Sequence, residues 1–223
     1  MNYSELPENT TEKSNVMKKG IIGGLGCGAL CLIGLLVLAL IVGGMAYTFN
    51  NTAVEYEADA KTAWSDVESS YQRRSDLYNT VIKTVQGSAD FERKTLNEVI
   101  EARSKATSVN IDAGNLTPEK MEAFQNAQSQ LSGSFSRLIA SFERYPDLKT
   151  TAQFKEFQSQ QEGTENRINV ARDRYNENVN IYDKHTTKFP GKVFAGWFGF
   201  GEMARYKADP GSEKVPDVEF KFE

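Results

Sequence analysis

The sequence predicts an all-α protein, in which an N-terminal transmembrane helix is followed by an elongated antiparallel four-helix bundle. Two observations lead to this prediction: an uncharged, glycine-rich segment near the N-terminus, and apolar residues that recur every three or four positions along most of the remaining chain. The expected organisation is a disordered N-terminal arm over 1–19, a transmembrane helix over 20–49, a helical bundle over 50–190 and an aromatic C-terminal tail over 191–223.

The uncharged segment predicts a permanent membrane anchor. No Asp, Glu, Lys or Arg occurs between Gly20 and Val54, and a helix needs about 20 apolar residues to cross the hydrocarbon core. A secretory signal has a shorter apolar region of about 7–15 residues, close to the N-terminus. The apolar segment of this chain instead follows the polar arm formed by residues 1–19. A small-x-small site at Gly44–Ala46 leaves a cleaved signal open as the alternative.

Three glycines of the anchor lie on one face of the predicted helix, because Gly20, Gly24 and Gly28 are four residues apart. Small residues at this spacing let membrane helices pack closely, although glycine is also common in membrane helices in general. We expect these glycines to form the transmembrane packing surface of a homo-oligomer. Cys27 and Cys31 are the only cysteines, so the rest of the chain can form no disulfide and no thiolate metal site.

The remaining composition predicts a non-enzymatic protein. The chain contains 26 basic and 30 acidic residues, and this balance argues against a nucleic-acid partner. With His185 as the single histidine, two Glu-x-x-His pairs of the kind that build di-metal bundles cannot occur. No zinc-protease, nucleophile-elbow or phosphate-loop motif is found. We therefore predict no catalytic, cofactor or metal site.

Four bundle helices are expected from apolar seams with alternating spacings of three and four residues, which is typical of antiparallel bundles. Gly87–Ser88 separates the first seam from the second. The first seam is Trp64, Val67, Tyr71, Arg74, Tyr78, Val81 and Val85, and the second is Ala89, Glu92, Leu96, Val99 and Arg103.

The third helix is expected to begin at Thr117–Pro118–Glu119, with a capping hydroxyl, a proline in the first turn and an acid near the positive helix end. Pro146 should end it and Pro190 should end the fourth helix, which would be about 55 Å long from Thr151 to Lys188. The third seam is Met121, Phe124, Gln128, Leu131, Phe135, Leu138, Phe142 and Tyr145; the fourth is Phe154, Phe157, Gln161, Thr164, Ile168, Ala171, Tyr175, Asn178, Tyr182, His185 and Phe189.

Several seam positions are polar, and a charge buried in a seam must be paired because an unpaired one is costly. We interpret these residues as register-fixing pairs or as seam ends open to water; a functional site in the bundle core is the alternative. They are Arg74, Glu92, Arg103, Gln128, Gln161, Asn178 and His185.

Motif residues in both halves of the bundle resemble those of a known family. The first half has Tyr71 to Leu77 followed by Asn79, Glu92 and Ala102-Arg103; the second has Glu143, Tyr145 to Lys149, Glu165-Asn166-x-Ile168, Ala171-Arg172, Tyr175-Asn176 and Phe189-Pro190. These residues are similar to the signatures of the LemA family, and the resemblance runs from about Asn50 to the C-terminus. Its polar members, expected to form a structural network, are Arg74, Asn79, Glu92, Arg103, Glu143, Glu165, Asn166, Arg172 and Asn176.

The resemblance implies a membrane helix followed by a four-helix bundle, with no catalytic residues, and some members of the family are associated with building specialised bacterial membranes. The chain departs from the family pattern at Tyr78, where the family usually has proline, and at Asp183, where it usually has asparagine. The first change removes a helix kink. Both changes put in doubt any role built on those two side chains.

The expected function is that of a membrane-anchored helical scaffold, which self-associates or holds protein partners at the bacterial inner membrane. Its expected partners are membrane lipid, further copies of the chain and another membrane protein. The alternative is an adaptor or regulator of a membrane-bound enzyme such as a protease; a hydrolase using Glu92, Glu143 or Glu165 is a third, less favoured interpretation. The aromatic tail either folds back over the bundle or forms a contact surface through Phe194, Trp197, Phe198 and Phe200.

The charges beside the anchor indicate which side of the membrane the bundle occupies. Basic residues close to a membrane helix tend to remain in the cytoplasm. Lys13, Lys18 and Lys19 precede the anchor, whereas Glu55, Glu57 and Asp59 follow it before the first basic residue, Lys61. The bundle is therefore expected outside the cytoplasm, in the periplasm of a two-membraned bacterium, with a cytoplasmic bundle as the alternative.

Overall fold

The computed structural model describes residues 10–86, 92–109, 111–145 and 152–207, with side chains described from residue 29 onward. Within these ranges the secondary structure is helical and no strand occurs, as the all-α prediction requires. The helices are α1 (Thr10–Gln86), α2 (Arg93–Ser108), α3 (Pro118–Ser141), α4 (Ala152–Thr187) and α5 (Gly191–Phe198), and a 3₁₀ turn (Phe142–Arg144) follows α3.

The chain divides into two units, residues 1–51 and residues 52–223. The first contains the N-terminal part of α1, in which every leucine and isoleucine from Leu30 to Ile41 is more than half exposed. This segment is long and apolar enough to cross a membrane. Because α1 begins at Thr10, residues 10–19 are helical, whereas the sequence predicted a disordered arm there. Neither glycine nor proline interrupts residues 10–19, so the helix continues through them.

The second unit contains the four-helix bundle, formed by α2, α3, α4 and the part of α1 that follows residue 51. Its core consists of two hydrophobic clusters. The Trp64 cluster includes Val67, Met121, Phe124 and Ile168, and the Phe135 cluster includes Val81, Leu96, Leu138 and Phe157. α1 and α3 run from the Trp64 cluster to the Phe135 cluster, and α2 and α4 run in the opposite direction. This alternation gives the predicted antiparallel bundle.

Most predicted seam positions are buried. All seven positions of the first seam are in the core, as are the positions from Met121 to Phe142 in the third. In α4 the apolar seam positions are buried up to Tyr182, but Gln161, Asn178 and His185 are half-buried and Phe189 is 86% exposed. In the second seam Leu96 and Val99 are buried, whereas Glu92 and Arg103 are half-buried. The polar positions thus keep partial access to water, with the exceptions of Arg74, Gln128 and Thr164.

The helix ends agree with the sequence at the start of α3 and, within one residue, at both ends of α4, whereas the end of α3 differs. The hydroxyl of Thr117 accepts a hydrogen bond from the Lys120 amide at 3.4 Å, and Pro118 occupies the first turn, as predicted. α3 ends at Ser141, before the predicted stop, because the chain tightens into the 3₁₀ turn there. α4 spans 36 residues, about 54 Å at 1.5 Å per residue. Gly87–Ser88 and Pro146 lie outside the described residues.

Candidate functional site

A buried arginine lies between the two hydrophobic clusters. Arg74 of α1 is 4% exposed. One of its terminal nitrogens, Nη2, donates to the side-chain oxygen of Gln128 at 2.8 Å and to the backbone oxygen of Gln128 at 3.3 Å. The other, Nη1, lies 3.5 Å from Glu165 Oε1. The guanidinium also lies 4.7 Å from the ring centre of Tyr71. Arg74 therefore connects α1 to α3 and α4 through charge-assisted hydrogen bonds.

These contacts give both terminal nitrogens of the buried Arg74 guanidinium a partner. Glu165 is partly exposed, so water also solvates its carboxylate. The separation of 3.5 Å between Arg74 Nη1 and Glu165 Oε1 makes this a weak ion pair. Among the described residues, no acceptor bonds the Nε–H of Arg74. A buried ion pair is weak support for stability. Register fixing by Arg74 therefore stays a prediction, for the reason that sliding α1 by one turn would place the charge against apolar side chains.

Tyr78 takes the place that a proline usually has in the family pattern. Its ring stacks on Phe135 at 3.5 Å between ring centres, with 2° between the ring planes. Burial raises the pKa of the Tyr78 hydroxyl to about 12; the nearby Arg74 charge opposes this rise, and Glu165 adds to it. The hydroxyl therefore remains protonated at neutral pH. It can donate a hydrogen bond, but it cannot serve there as a phenolate base or nucleophile.

Four other predicted network residues whose side chains are described do not bond Arg74: Asn79, Glu92, Arg103 and Asn166. Glu92 pairs with Arg144 at 2.8 Å on the surface, and Arg103 donates to the Ser75 hydroxyl at 3.2 Å. Asn79 is half-buried and Asn166 is exposed, and the Glu143 side chain lies outside the described residues. The hydrolase interpretation named Glu92, Glu143 and Glu165, and the two of these acids whose side chains are described, Glu92 and Glu165, pair with arginines, which argues against it.

The remaining two predicted network residues, Arg172 and Asn176, bind the segment that follows α5. The Asn176 side chain donates to the Tyr206 carbonyl and accepts from the Tyr206 amide, each at 2.9 Å. The Arg172 guanidinium lies 3.8 Å from the centre of the Tyr206 ring. On the opposite side, the Tyr206 hydroxyl bonds the hydroxyl of Tyr71. Tyr206 is thereby docked between α1 and α4 and completes the Trp64 cluster.

Further contacts hold the same segment, Gly201–Lys207, which we call the docked segment. The hydroxyl of Tyr175 donates to the Ala204 carbonyl, and that of Tyr182 donates to the Gly201 carbonyl at 2.9 Å. Burial raises the pKa of Tyr182 to about 12 and raises that of Tyr175 as well, so both hydroxyls remain donors. Asp183, one of the two departures from the family pattern, pairs with Arg205 at 2.9 Å.

A reversal of the chain at Gly199 brings the docked segment back along α4. Gly199 has a φ of 79°, a left-handed conformation that glycine adopts without strain. Its amide and that of Phe200 both donate to the Ala195 carbonyl, which closes the end of α5. The sequence left open whether the tail folds back. The order of the contacts, from Tyr182 through Tyr175 to Asn176 and Arg172, shows that the docked segment runs antiparallel to α4.

The four aromatic residues predicted as a contact surface differ in accessibility. Phe194 is buried against the bundle, and Phe200 is half-buried beside Tyr182 at 6.5 Å between ring centres. Trp197 and Phe198 are exposed. Sequence reasoning missed the specific partners of Tyr206, although the aromatic residues and glycines around it did indicate a segment that turns and packs. A pairing with the backbone of a distant residue leaves no spacing pattern in the sequence.

A groove with a volume of about 210 Å³ opens beside the Phe135 cluster, and it is mainly apolar. Its polar rim includes Glu156 and Gln160, which bond each other at 3.0 Å. Neither Glu92 nor Glu165 lines it. Across the described part of the chain, no three His, Cys, Asp or Glu side chains gather closely enough to hold a metal ion.

Comparisons with known proteins agree with the motif resemblance. The LemA family model matches residues 63–220. Protein LemA of Metamycoplasma hominis is 24% identical over 147 residues, which cover 66% of this chain and 60% of that protein. Magnetosome protein MamQ 2 of Paramagnetospirillum magneticum is 22% identical over 206 residues, 83% of this chain and 74% of that protein. Magnetosome protein MamQ of Magnetospirillum gryphiswaldense is 22% identical over 202 residues, 81% of this chain and 72% of that protein.

Proposed function

Since the chain belongs to the LemA family, we propose that it is a membrane-anchored helical scaffold that self-associates or holds protein partners at the bacterial inner membrane. The observation that carries the proposal is the exposed apolar segment of α1. Leu30 and Leu40 are 72% and 67% exposed, and burying such side chains in lipid is favourable. A soluble chain that left this segment in water would aggregate.

The bundle supports a structural role rather than a reaction. Its interior polar groups bond one another: Arg74 bonds Gln128 and Glu165, and Asn176 bonds a backbone segment. The buried tyrosines keep their protons at neutral pH. Two of the relatives named above are called magnetosome proteins, and we take this as support for a part in a cellular assembly.

Self-association through the anchor is tested by replacing Gly24 with leucine. Gly20, Gly24 and Gly28 lie on one face of α1, and a leucine there would push two packed helices apart. We expect the variant to lose its oligomer, measured by cross-linking in intact membranes and by size in detergent. Gly44→Leu is the matched control, because at 3.6 residues per turn Gly44 lies on about the opposite face from Gly24.

The same measurements separate the scaffold from the alternative. An oligomer that is unchanged by Gly24→Leu in both lipid and detergent would contradict packing through this face. A wild-type protein that remains a single chain until a membrane-bound enzyme is added would favour the adaptor or regulator instead.

The bundle is proposed to lie outside the cytoplasm, and a single accessible cysteine tests this. Ser104 is exposed on α2, and Ser104→Cys in a background with Cys27→Ser and Cys31→Ser places one thiol on the bundle. We expect a membrane-impermeant maleimide to label it while the inner membrane is intact, because the lysines precede the anchor. Labelling that requires a broken inner membrane would place the bundle in the cytoplasm.

A further inference from the structure

We propose that helix α5 and the turn before it dock on the surface of the same bilayer that holds α1. The contact would be made by an aromatic stripe, which we define as Phe189, Val193, Trp197 and Phe198. This inference rests on the proposed membrane anchoring, and it adds a second membrane contact to it. The occupant of the stripe is the lipid interface, where indole and phenyl rings lie at the level of the headgroups.

α5 has one face that packs on the bundle and one face that is exposed, where Trp197 and Phe198 meet, among the described residues, only the neighbouring rings of Phe194 and Phe200. Gly191, Phe194 and Ala195 are buried. The aromatic stripe projects from the other side: Phe189 is 86% exposed, Trp197 64%, Phe198 46% and Val193 44%. Val193 and Trp197 are four residues apart and therefore lie on one face of α5, and Phe189 lies in the turn that precedes the helix. So much apolar surface in one place is unusual for a surface that only faces water.

The position of the stripe in the bundle indicates lipid as the occupant. The bundle unit begins at Thr52, immediately after the apolar segment in the chain. The ring of Tyr56, one turn later, meets the ring of His185 edge to face at 5.4 Å. α4 thus ends beside the first turns of α1 in the bundle, and α5 begins six residues after His185. The stripe lies at the end of the bundle from which the chain continues into the anchor.

The charges around the stripe also suit a membrane surface. Residues 184–198 contain three lysines and no acid. Lys184, Lys188 and Lys192 are exposed, and Lys188 and Lys192 directly precede Phe189 and Val193 of the stripe. Asp183, the preceding acid, is paired with Arg205. Lysines beside exposed aromatic residues are typical of helices that lie in the interface of anionic membranes.

Quenching of tryptophan fluorescence tests this contact in the full-length chain. The protein is reconstituted into vesicles of phosphatidylcholine and phosphatidylglycerol with brominated acyl chains, which quench tryptophan on contact, and into matched vesicles without bromine. The chain has two tryptophans, and Trp64 is fully buried in the bundle. We expect bromine to remove most of the Trp197 emission from the wild type and to leave the emission of Trp197→Phe unchanged.

The lysines are tested by the double variant Lys188→Glu with Lys192→Glu in the same vesicles. We expect it to lose part of the bromine quenching, because glutamates at these positions repel phosphatidylglycerol. Lys120→Glu on the exposed start of α3 is the control and should keep full quenching. Full quenching in the double variant would overturn the role given to the lysines.

Two results would overturn the docking itself. Wild-type protein that floats with the vesicles but has equal emission with and without bromine is anchored without this contact. A blue-shifted Trp197 emission that bromine does not quench would mean that a second copy or another protein covers the stripe. Protein that does not float at all would contradict the proposed anchoring as well, so the two failures can be told apart.

Discussion

Replacing Trp64 with alanine is expected to lower the free energy of unfolding by about 3–5 kcal/mol, the usual cost of truncating a buried tryptophan. Trp64 is fully buried. Its ring meets Phe124 at 5.4 Å and Tyr175 at 5.3 Å between centres, and its Nε1–H donates to the Ile111 carbonyl at 3.2 Å. The substitution would leave a cavity among three helices and an unpaired carbonyl. Since a domain of ordinary stability has about 5–15 kcal/mol in total, the variant should unfold at a markedly lower temperature than the wild type.

Thermal unfolding followed by circular dichroism in detergent measures this effect. Trp197→Ala is the matched control, because it removes the same side chain from an exposed position. We expect it to change stability by no more than about 0.5 kcal/mol. Equal losses in the two variants would mean that Trp64 is not the centre of its cluster.

Replacing Asn176 with leucine is expected to release the docked segment from α4. The variant loses both hydrogen bonds to the Tyr206 backbone, and a buried backbone group without a partner costs about 1–3 kcal/mol. Undocking would let water satisfy those groups but would expose Tyr206, so docking should weaken by about 2–4 kcal/mol. The effect should be largest in the segment and in the Trp64 cluster that it completes, and smaller in the Phe135 cluster, which contains no residue of the segment.

Hydrogen exchange at the Tyr206 amide measures the release, and tryptic cleavage after Arg205 or Lys207 provides a second readout. We expect both to accelerate in Asn176→Leu while exchange in the core of α3 stays slow. Asn166→Leu, an exposed substitution on the same helix, is the control. Wild-type protection at Tyr206 in the Asn176 variant would show that the tyrosine hydroxyls of α4 hold the segment without it.

The bundle could be predicted from the sequence because its seams repeat. Trp64, Leu131 and Ile168 each occupy a regular position in a seam of their own helix, and each is buried as that position predicts. The start of α3 was predictable because capping by Thr117 is local chemistry within one turn. α5 was not predicted, since its glycines and aromatic residues have modest helix propensity and its packing against the bundle through Phe194 involves distant residues.

The candidate sites were predictable only in part. The rule that a charge in a seam must be paired anticipated partners for Arg74, and Gln128 and Glu165 provide them. The expectation of one connected network did not distinguish Arg74 from Asn176, which have different partners: Arg74 bonds groups of α3 and α4, and Asn176 bonds the backbone of the docked segment. Which of two functions a polar residue serves depends on tertiary contacts that its spacing does not encode.

The way in which α4 holds the docked segment bears on how this part of the protein can diverge. Tyr175, Tyr182 and Asn176 bond main-chain atoms of Ala204, Gly201 and Tyr206, and every residue type offers the same carbonyl. Substitutions at Gly201, Glu202 or Met203 would therefore leave the hydrogen bonds in place. Substitutions of the three α4 residues would remove them, because there the bonds are made by the side chains. Homologous proteins could consequently carry different tail sequences on an unchanged helix, and so vary the surface they present without redesigning the bundle.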